Sequence, residues 1–499
     1  MLHTSAAHGS GHVHGSRFAA VQRITGLLLM LFSLTNLPPL VVNAIYAENV
    51  VYPFLMGLWI TLFTGAVIWW PVQHNRAELK IRDGFLVTVL FWVVLGVFGA
   101  IPLYFADQAW HSTTDAIFES ISGLTTTGAT TVASGLDTLP HALNFYRAQL
   151  HWFGGVGIIV LAVAILPMLG VGGMQLFKAE TPGPMKESKL TPRIAGTARA
   201  LWVVYVLLTA ACALTYWALG MNFFDALCHA MSTLSTGGFS THDASFGFFN
   251  NLNLEIAAMV FMVAGATNFA LHFLAWRERS LWVFVRDAEF KTMLGIIISF
   301  GALVCVPLYA LGVYADAGTA IRKGMFQLIA YGTNSGFATA DPTGWPMYVP
   351  LLIVLSGFMV ACSGSTGGGV KVIRLMVFVR QALRELKRLV HPSAELTLKI
   401  DGKTVPNDVV YAVSGFFSVY IGMTVLLTFV MMTTGLDPVT AFSAVAAAIN
   451  NMGPGLGSIN ASVASVSDFG KWVMIFAMLL GRLEIFTLLI VFTPGFWRR

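Results

Sequence analysis

Long apolar runs alternate with short polar stretches along this chain. Runs such as FLVTVLFWVVLGVFGAIPLYF (85–105) and WVMIFAMLLGRLEIFTLLIVF (472–492) are long enough to cross a bilayer, which takes about 20 residues of helix. Ten crossings are predicted. Two come first, at 18–43 and 50–72, followed by pairs at 84–106 and 148–170, 200–220 and 253–275, 292–314 and 347–378, and 408–434 and 471–493. Each pair encloses 30 or more residues, including an apolar run too short to span. The fold class is therefore an all-α polytopic membrane protein.

The enclosed stretches are alike. Each holds a seven-residue polar strip: TTTGATT (125–131), STGGFST (235–241), TNSGFAT (333–339) and NNMGPGL (450–456). Stacked without gaps, the strips share a glycine in the fourth column, at Gly128, Gly238, Gly336 and Gly453, with separations of 110, 98 and 117 residues. Asp115 and Asp225 each stand 13 residues before the column glycine. Ser112, Asn222 and Asp437 each stand 16 before it and suit the N-cap of a short helix, with Pro438 fitting the first turn of the last one. Asp316 is the candidate cap in the third stretch, 20 residues before its glycine. The pattern is a fourfold duplication of helix, half-helix, strip, helix.

Two crossings per repeat start every repeat on the same side, so four repeats can surround an axis normal to the membrane. Inverted repeats need an odd number of crossings. The half-helices would point their partly negative C-termini inward. Non-helical backbone at membrane depth must line a cavity or be buried in protein, and glycine permits the positive φ that turns a carbonyl to the axis. Rings of carbonyls that replace a hydration shell are how potassium filters work. The competing reading is that glycine and threonine merely let helices pack closely; four matched strips favour the filter.

Composition and charge then add orientation. The chain is 56% hydrophobic and 11% charged with a formal charge of +5. Placing the N-terminus in the cytoplasm puts Arg76, Lys80, Arg82, Lys178, Lys186, Lys189, Arg193, Arg199, Arg277, Arg279, Arg286, Lys291, the basic run 380–403, Arg498 and Arg499 inside. Only Arg147, Arg322, Lys323 and Lys471 would lie outside, a strong positive-inside bias. The outer segments are acidic, which either concentrates cations at the mouth or simply reflects the exclusion of Lys and Arg. The four cysteines are scattered, so no disulfide framework or zinc site is suggested. The four histidines before residue 17 could bind metal, but their Gly, Ser and Ala neighbours suit a disordered tail. No carboxylate pair, HExxH or Ser/His/Asp set suggests an enzyme, with His151 and Glu119 isolated in the sequence, and no aromatic-interleaved basic patch suggests nucleic acid.

Two features interrupt the later crossings. CSGSTGGGVK (362–371) has four glycines in ten residues and cannot form a stable membrane helix. A phosphate-binding loop would need Ser or Thr after GK, whereas Val370 intervenes and Val372 follows Lys371; a broken helix below the filter fits better. Arg482 stands near the middle of the final crossing, where arginine costs about 2.5–3.5 kcal/mol, and Glu484 is two positions away on another helix face. Lys371 and Arg374 are expected near the cytoplasmic interface without an assigned contact.

Together the four strips with AETPGP (179–184) and GSTGGGVKVIR (364–374) resemble the TrkH-type potassium uptake proteins of the Trk/Ktr/HKT superfamily, over residues 18–497. The resemblance implies a pore of the potassium-channel type, with four M1–pore helix–M2 repeats preceded by two extra helices. It implies K+ as the transported ion and no organic cofactor. The ion would be held by carbonyls of Thr126, Thr127, Gly128, Thr236, Gly237, Gly238, Asn334, Ser335, Gly336, Asn451, Met452 and Gly453. Relatives that prefer sodium often have serine in place of the first column glycine, so Gly128 favours potassium. An intramembrane gating loop with Gly364, Gly367, Gly368 and Gly369 is implied, with Arg482 projecting toward the path beneath the filter. A homodimer in the bacterial inner membrane, regulated by a cytoplasmic nucleotide-binding TrkA-type subunit, is also implied. The expected division is a tail (1–17), two helices (18–83) and pore repeats at 84–199, 200–291, 292–406 and 407–499, the third containing the loop 362–371. The alternatives are a sodium-permeable pore or a proton- or sodium-coupled potassium symporter; the scarcity of buried carboxylates weighs against proton coupling.

Overall fold

The computed structural model describes residues 17–74, 81–106, 108–110, 112–164, 194–394 and 396–498. The histidine tail, AETPGP and the predicted end of the 148–170 crossing lie outside them. The chain opens with α1 (Arg17–Ser33), α2 (Leu37–Ile45) and α3 (Val51–Trp69). α1 and α3 cross at Gly26 and Gly65, where a methyl on either would come within 2.8 or 2.9 Å of the other's carbonyl oxygen. Small residues let these backbones touch, as is usual between helices in lipid.

Four helix–half-helix–helix units follow. The first is α4 (Ile81–Gly99), α5 (Ile101–Ala106), α6 (Thr113–Leu124) and α7 (His141–Ala164). The second is α8 (Ile194–Ala218), α9 (Phe223–Leu234), α10 (Leu252–Ala266) and α11 (Phe269–Glu278), linked onward by α12 (Trp282–Arg286). The third is α13 (Ala288–Ala310), α14 (Ala317–Gly332), α15 (Tyr348–Ser356) and α16 (Val372–Val390), after which a small hairpin pairs β1 (Lys399–Ile400) with β2 (Lys403–Thr404). The fourth is α17 (Asn407–Met432), α18 (Pro438–Ile449), α19 (Asp468–Arg482) and α20 (Phe486–Leu489), and α21 (Pro494–Trp497) ends the described chain. Exposed side chains such as Phe63, Ile298, Val306 and Phe429 give the long helices an apolar outer face. This is a multi-pass all-α membrane protein with pseudo-fourfold repeats.

The half-helices α6, α9, α14 and α18 begin at the expected caps. Ser112, Asn222 and Asp316 each accept the N–H three residues on, and Asp437 accepts those of Val439 and Thr440. The longer spacing from Asp316 has a simple cause: α14 has 16 residues where the other three have 12, one more helical turn. These four helices bury nearly every residue of their C-terminal halves.

The second crossings are less regular than the apolar runs predict. Besides the glycine-rich break between α15 and α16, α10 and α11 meet at 101°, and α19 turns by 109° into the segment Phe486–Phe492. Thr267 and Asn268 end the first of these, because the Asn268 side chain accepts the Ala270 N–H and starts a new helix. In the second, Glu484 and Ile485 take φ of 54° and 59°, and their N–H groups bond Gly481 and Leu480. Arg482 is thus the last residue of a terminating helix, not the middle of a continuous crossing. Hydropathy missed both bends because the residues flanking them remain apolar.

Candidate functional site

All four half-helices end in the same way. Thr126 donates its N–H to Gly123 O and Thr127 to Ser122 O; the same pair of bonds recurs at Thr236 and Gly237, Asn334 and Ser335, and Asn451 and Met452. This is a Schellman ending, with the left-handed position filled by Thr126, Thr236, Asn334 and Asn451 at φ of 57°, 55°, 62° and 53°. Asparagine tolerates that region, whereas a β-branched threonine there is strained. Two residues later Gly128, Gly238, Gly336 and Gly453 again have positive φ, at 81°, 85°, 67° and 95°. The sequence reading anticipated the glycine column and missed the left-handed second column.

The strips close on one another in chain order. A methyl on Gly128 would run into the Gly237 carbonyl oxygen, and one on Gly238 into that of Ser335. The same methyl on Gly336 would stand 2.5 Å from Met452 O, and on Gly453 2.8 Å from Thr127 O. Each column glycine therefore abuts the third-column carbonyl of the next quarter, and the fourth returns to the first. Among the described residues no N–H or O–H donates to a carbonyl of the second, third or fourth column. Buried carbonyls without donors are costly, and a partly dehydrated cation on the axis is what such a ring can accept.

Side chains hold the strips from behind, nine residues before the column glycine. Glu119 accepts from Thr130 Oγ1 at 2.9 Å, from the Thr131 N–H at 2.9 Å and from Arg147 Nε at 2.9 Å, with both charged groups fully buried. His229 in the second quarter reaches Ser240 Oγ at 2.9 Å, and Gln327 in the third accepts the Thr339 N–H and donates to Ala340 O. The fourth quarter has Ala444 at that position, and Ser443 takes over by accepting the Leu456 N–H. His151 stacks on Phe239 with centroids 4.0 Å apart and would be struck by a methyl on Gly237. Glu119 and His151 were isolated only along the sequence, and the repeat alignment carried the signal for Glu119.

At the mouth, beyond the column glycines, His242 bridges Asp137 (2.6 Å) and Asp225 (3.0 Å), which belong to different quarters. Asp243 accepts the Gly135 and Leu136 N–H groups in return. Burial alone would lower the His242 pKa, but its bonds to the two carboxylates outweigh this and hold it above the ordinary histidine value. Partial burial would raise Asp137, and the His242 hydrogen bond overrides it, leaving that carboxyl below its usual range.

The glycine-rich loop lies on the opposite side, against the C-terminal ends of the half-helices. Thr366 Oγ1 donates to Leu234 O at 2.9 Å and to Gly265 O at 3.1 Å. A methyl on Gly367 would stand 3.2 Å from Thr333 O, and one on Gly368 would strike Asn450 O. Gly364 and Gly369 both have positive φ. Three half-helices thus touch the loop, and Arg482 reaches toward the first: it donates to Thr366 O (3.0 Å) and Gly154 O (2.5 Å), and Gly154 packs on Leu124 O. Glu289 gathers the N–H groups of Ser363 and Ile373 near both ends of the loop. Lys371 and Arg374 are buried, contrary to an interfacial placement: Lys371 Nζ donates to Gly367 O, and Arg374 pairs with Glu484 at 2.5 Å and covers Phe416. Glu484 finds this partner because the helix ends two residues earlier.

A model of the TrkH family, described as a cation transport protein, matches residues 52–498. The Trk system potassium uptake protein TrkH of Halomonas elongata is 49% identical over 96% of this chain and 99% of its own length. Its namesake in Vibrio parahaemolyticus is 49% identical over 97% and 100%, and the potassium uptake protein TrkG of Escherichia coli 40% over 97% and 99%. The crystal structure of the potassium transporter TrkH from Vibrio parahaemolyticus superposes with a TM-score of 0.88 at 47% identity, covering 96% of this chain and all of that one. The chain belongs to the TrkH family of cation transport proteins and is a multi-pass membrane transporter rather than an enzyme.

Proposed function

We propose that this protein takes potassium into a bacterial cell through the axial ring of carbonyls. The observation that carries the reading is the cyclic register, in which each column glycine abuts the third-column carbonyl of the next quarter. K+ is held by carbonyls of Thr126, Thr127 and Gly128, Thr236, Gly237 and Gly238, Asn334, Ser335 and Gly336, and Asn451, Met452 and Gly453. The four half-helix C-termini add negative potential beneath the ring. The loop 362–371 is the gate: Gly364, Gly367, Gly368 and Gly369 let it lie against the half-helix ends, and Arg482 latches it to the first repeat. The arginine also places a positive charge beneath a cation path, which opposes conduction while the latch is closed.

The reading extends to the surroundings. The pore repeats divide at 84–199, 200–291, 292–406 and 407–499, with 18–83 as an added helical pair. The protein lies in the inner membrane with its N-terminus in the cytoplasm, as the basic residues favour. It works as a homodimer under a cytoplasmic nucleotide-binding TrkA-type subunit, a reading supported by the resemblance and by relatives named as parts of a Trk system.

The test is reversal potentials of the purified protein in planar bilayers under K+ and Na+ gradients. Current that reverses near the K+ potential supports the reading. Reversal that follows a proton gradient would replace it with a coupled symporter, and reversal near the Na+ potential with a sodium pathway. Silence calls for repetition with the regulatory subunit present, since a latched loop also gives no current.

A further inference from the structure

α16 leaves the gating loop as an amphipathic helix with two separate stripes. Val379, Leu383, Leu386 and Val390 lie at i, i+4, i+7 and i+11 and are 46%, 52%, 61% and 71% exposed. Beside them run Arg380, Arg384 and Lys387, at i, i+4 and i+7. The basic stripe forms one wall of a groove of about 220 Å³, closed on its other side by Leu396, Thr397, Leu398 and Lys399. Among the described residues no carboxylate stands within ion-pair distance of these four cations. Arg380 is tied to Lys399 O and Arg384 to Asn407 Oδ1 (3.1 Å), bonds to neutral acceptors that fix both in place without pairing their charge.

We infer that this groove binds the phosphate of an anionic phospholipid headgroup. Charge complementarity calls for an anion, since four cations line one cavity and none of them is in an ion pair among the described residues. The neighbouring apolar stripe points to a lipid as its source: an interfacial helix buries such a face at the acyl boundary and sets its cations at headgroup level. The inference does not depend on the transport reading.

The test uses the purified full chain in detergent, titrated with phosphatidylglycerol or phosphatidylcholine and read by native mass spectrometry, with glycerol 3-phosphate as a third ligand. Phosphatidylglycerol should bind at least tenfold more tightly than phosphatidylcholine. Lys387→Gln and Arg384→Gln should each weaken it roughly fivefold, the effect of one cation at a membrane surface. Among the described residues the Lys387 side chain makes no hydrogen bond or ion pair, so its variant tests binding without disturbing the fold. Equal affinity for the two lipids, or an unaffected Lys387→Gln, overturns the inference. Tight binding of glycerol 3-phosphate makes the groove a site for a soluble phosphate instead. Self-association that Leu386→Ser abolishes in neutral detergent assigns the face to a second copy and also overturns it.

Discussion

The two ends of the carbonyl ring are built from different materials. Behind the mouth, the strips are held by side chains: Glu119 with Arg147, His229 with Ser240, Gln327 with Thr339, and His242 between Asp137 and Asp225. Beneath the half-helix ends the contact is mostly backbone, made by a loop with glycine at four of ten positions and secured by Thr366, Lys371 and Arg482. Buried charged pairs are costly to break, because each partner left alone remains desolvated. The loop 362–371 is tied by hydrogen bonds, from Thr366, Lys371 and Arg482 to carbonyls and from Ser363 N–H to the Glu289 carboxylate, and among the described residues it has no ion pair of its own to break. Under the proposed function, the mouth is the fixed end and the loop the end that moves.

The largest effect is expected from breaking the fixed end. Arg147→Leu leaves the Glu119 carboxylate buried without its cation and should cost about 3–5 kcal/mol, read as a large fall in thermal stability in detergent. The double variant Glu119→Gln/Arg147→Leu should recover part of it, because no charge is then stranded; stability no better than the single variant would remove the pair from this role. At the moving end, Arg482→Ala strands carbonyls rather than a charge. It should leave the protein folded and raise K+ flux into proteoliposomes about tenfold, equivalent to about 1.4 kcal/mol. Unchanged or lower flux with normal folding would show that the arginine does not latch the gate.

Gly128→Ser probes the ring between the two ends. A side chain at φ 81° facing the Gly237 carbonyl displaces one quarter of the ring, so Na+ permeability relative to K+ should rise severalfold, about 1 kcal/mol of lost discrimination. An unshifted reversal potential would separate the first quarter from selectivity. The smallest effect concerns the His242 clasp. Its raised pKa means that its contribution is complete below about pH 6.5, the ordinary histidine value, and is lost as pH rises through the raised value. Asp137 works in the other direction, with its contribution present above about pH 3.9 and lost as pH falls through its lowered value. Thermal stability should therefore decline on going from pH 6 to pH 9, and His242→Gln should flatten that decline; a slope identical to wild type would exclude the clasp.

The division between sequence and structure follows the range of the forces involved. Long apolar runs, helix caps and glycine spacing are local or periodic, and one chain repeated four times displays them against itself. The apolar helical class, the four capped half-helices and the column of Gly128, Gly238, Gly336 and Gly453 were legible for that reason, whereas among the described residues six helices, or eight with the two bent pairs, are long and apolar enough to cross a membrane where ten crossings were expected. What remained hidden depends on residues far apart in the chain. The bend after α10 relies on Asn268 taking the role of a cap, and nothing in the hydropathy of 253–275 marks it. Arg482 looked stranded in a continuous crossing because the turn at Glu484 and Ile485 keeps an apolar sequence. Arg374 meets Glu484 110 residues away, and Arg147 meets Glu119 only once α6 and α7 pack together. By itself, then, the sequence determined the class of fold, the repeat and the positions able to carry carbonyls. Only the tertiary structure decided which quarter follows which around the axis, where the second crossings break and which charges neutralise one another, because each of these depends on desolvation and packing between segments that the chain order keeps apart.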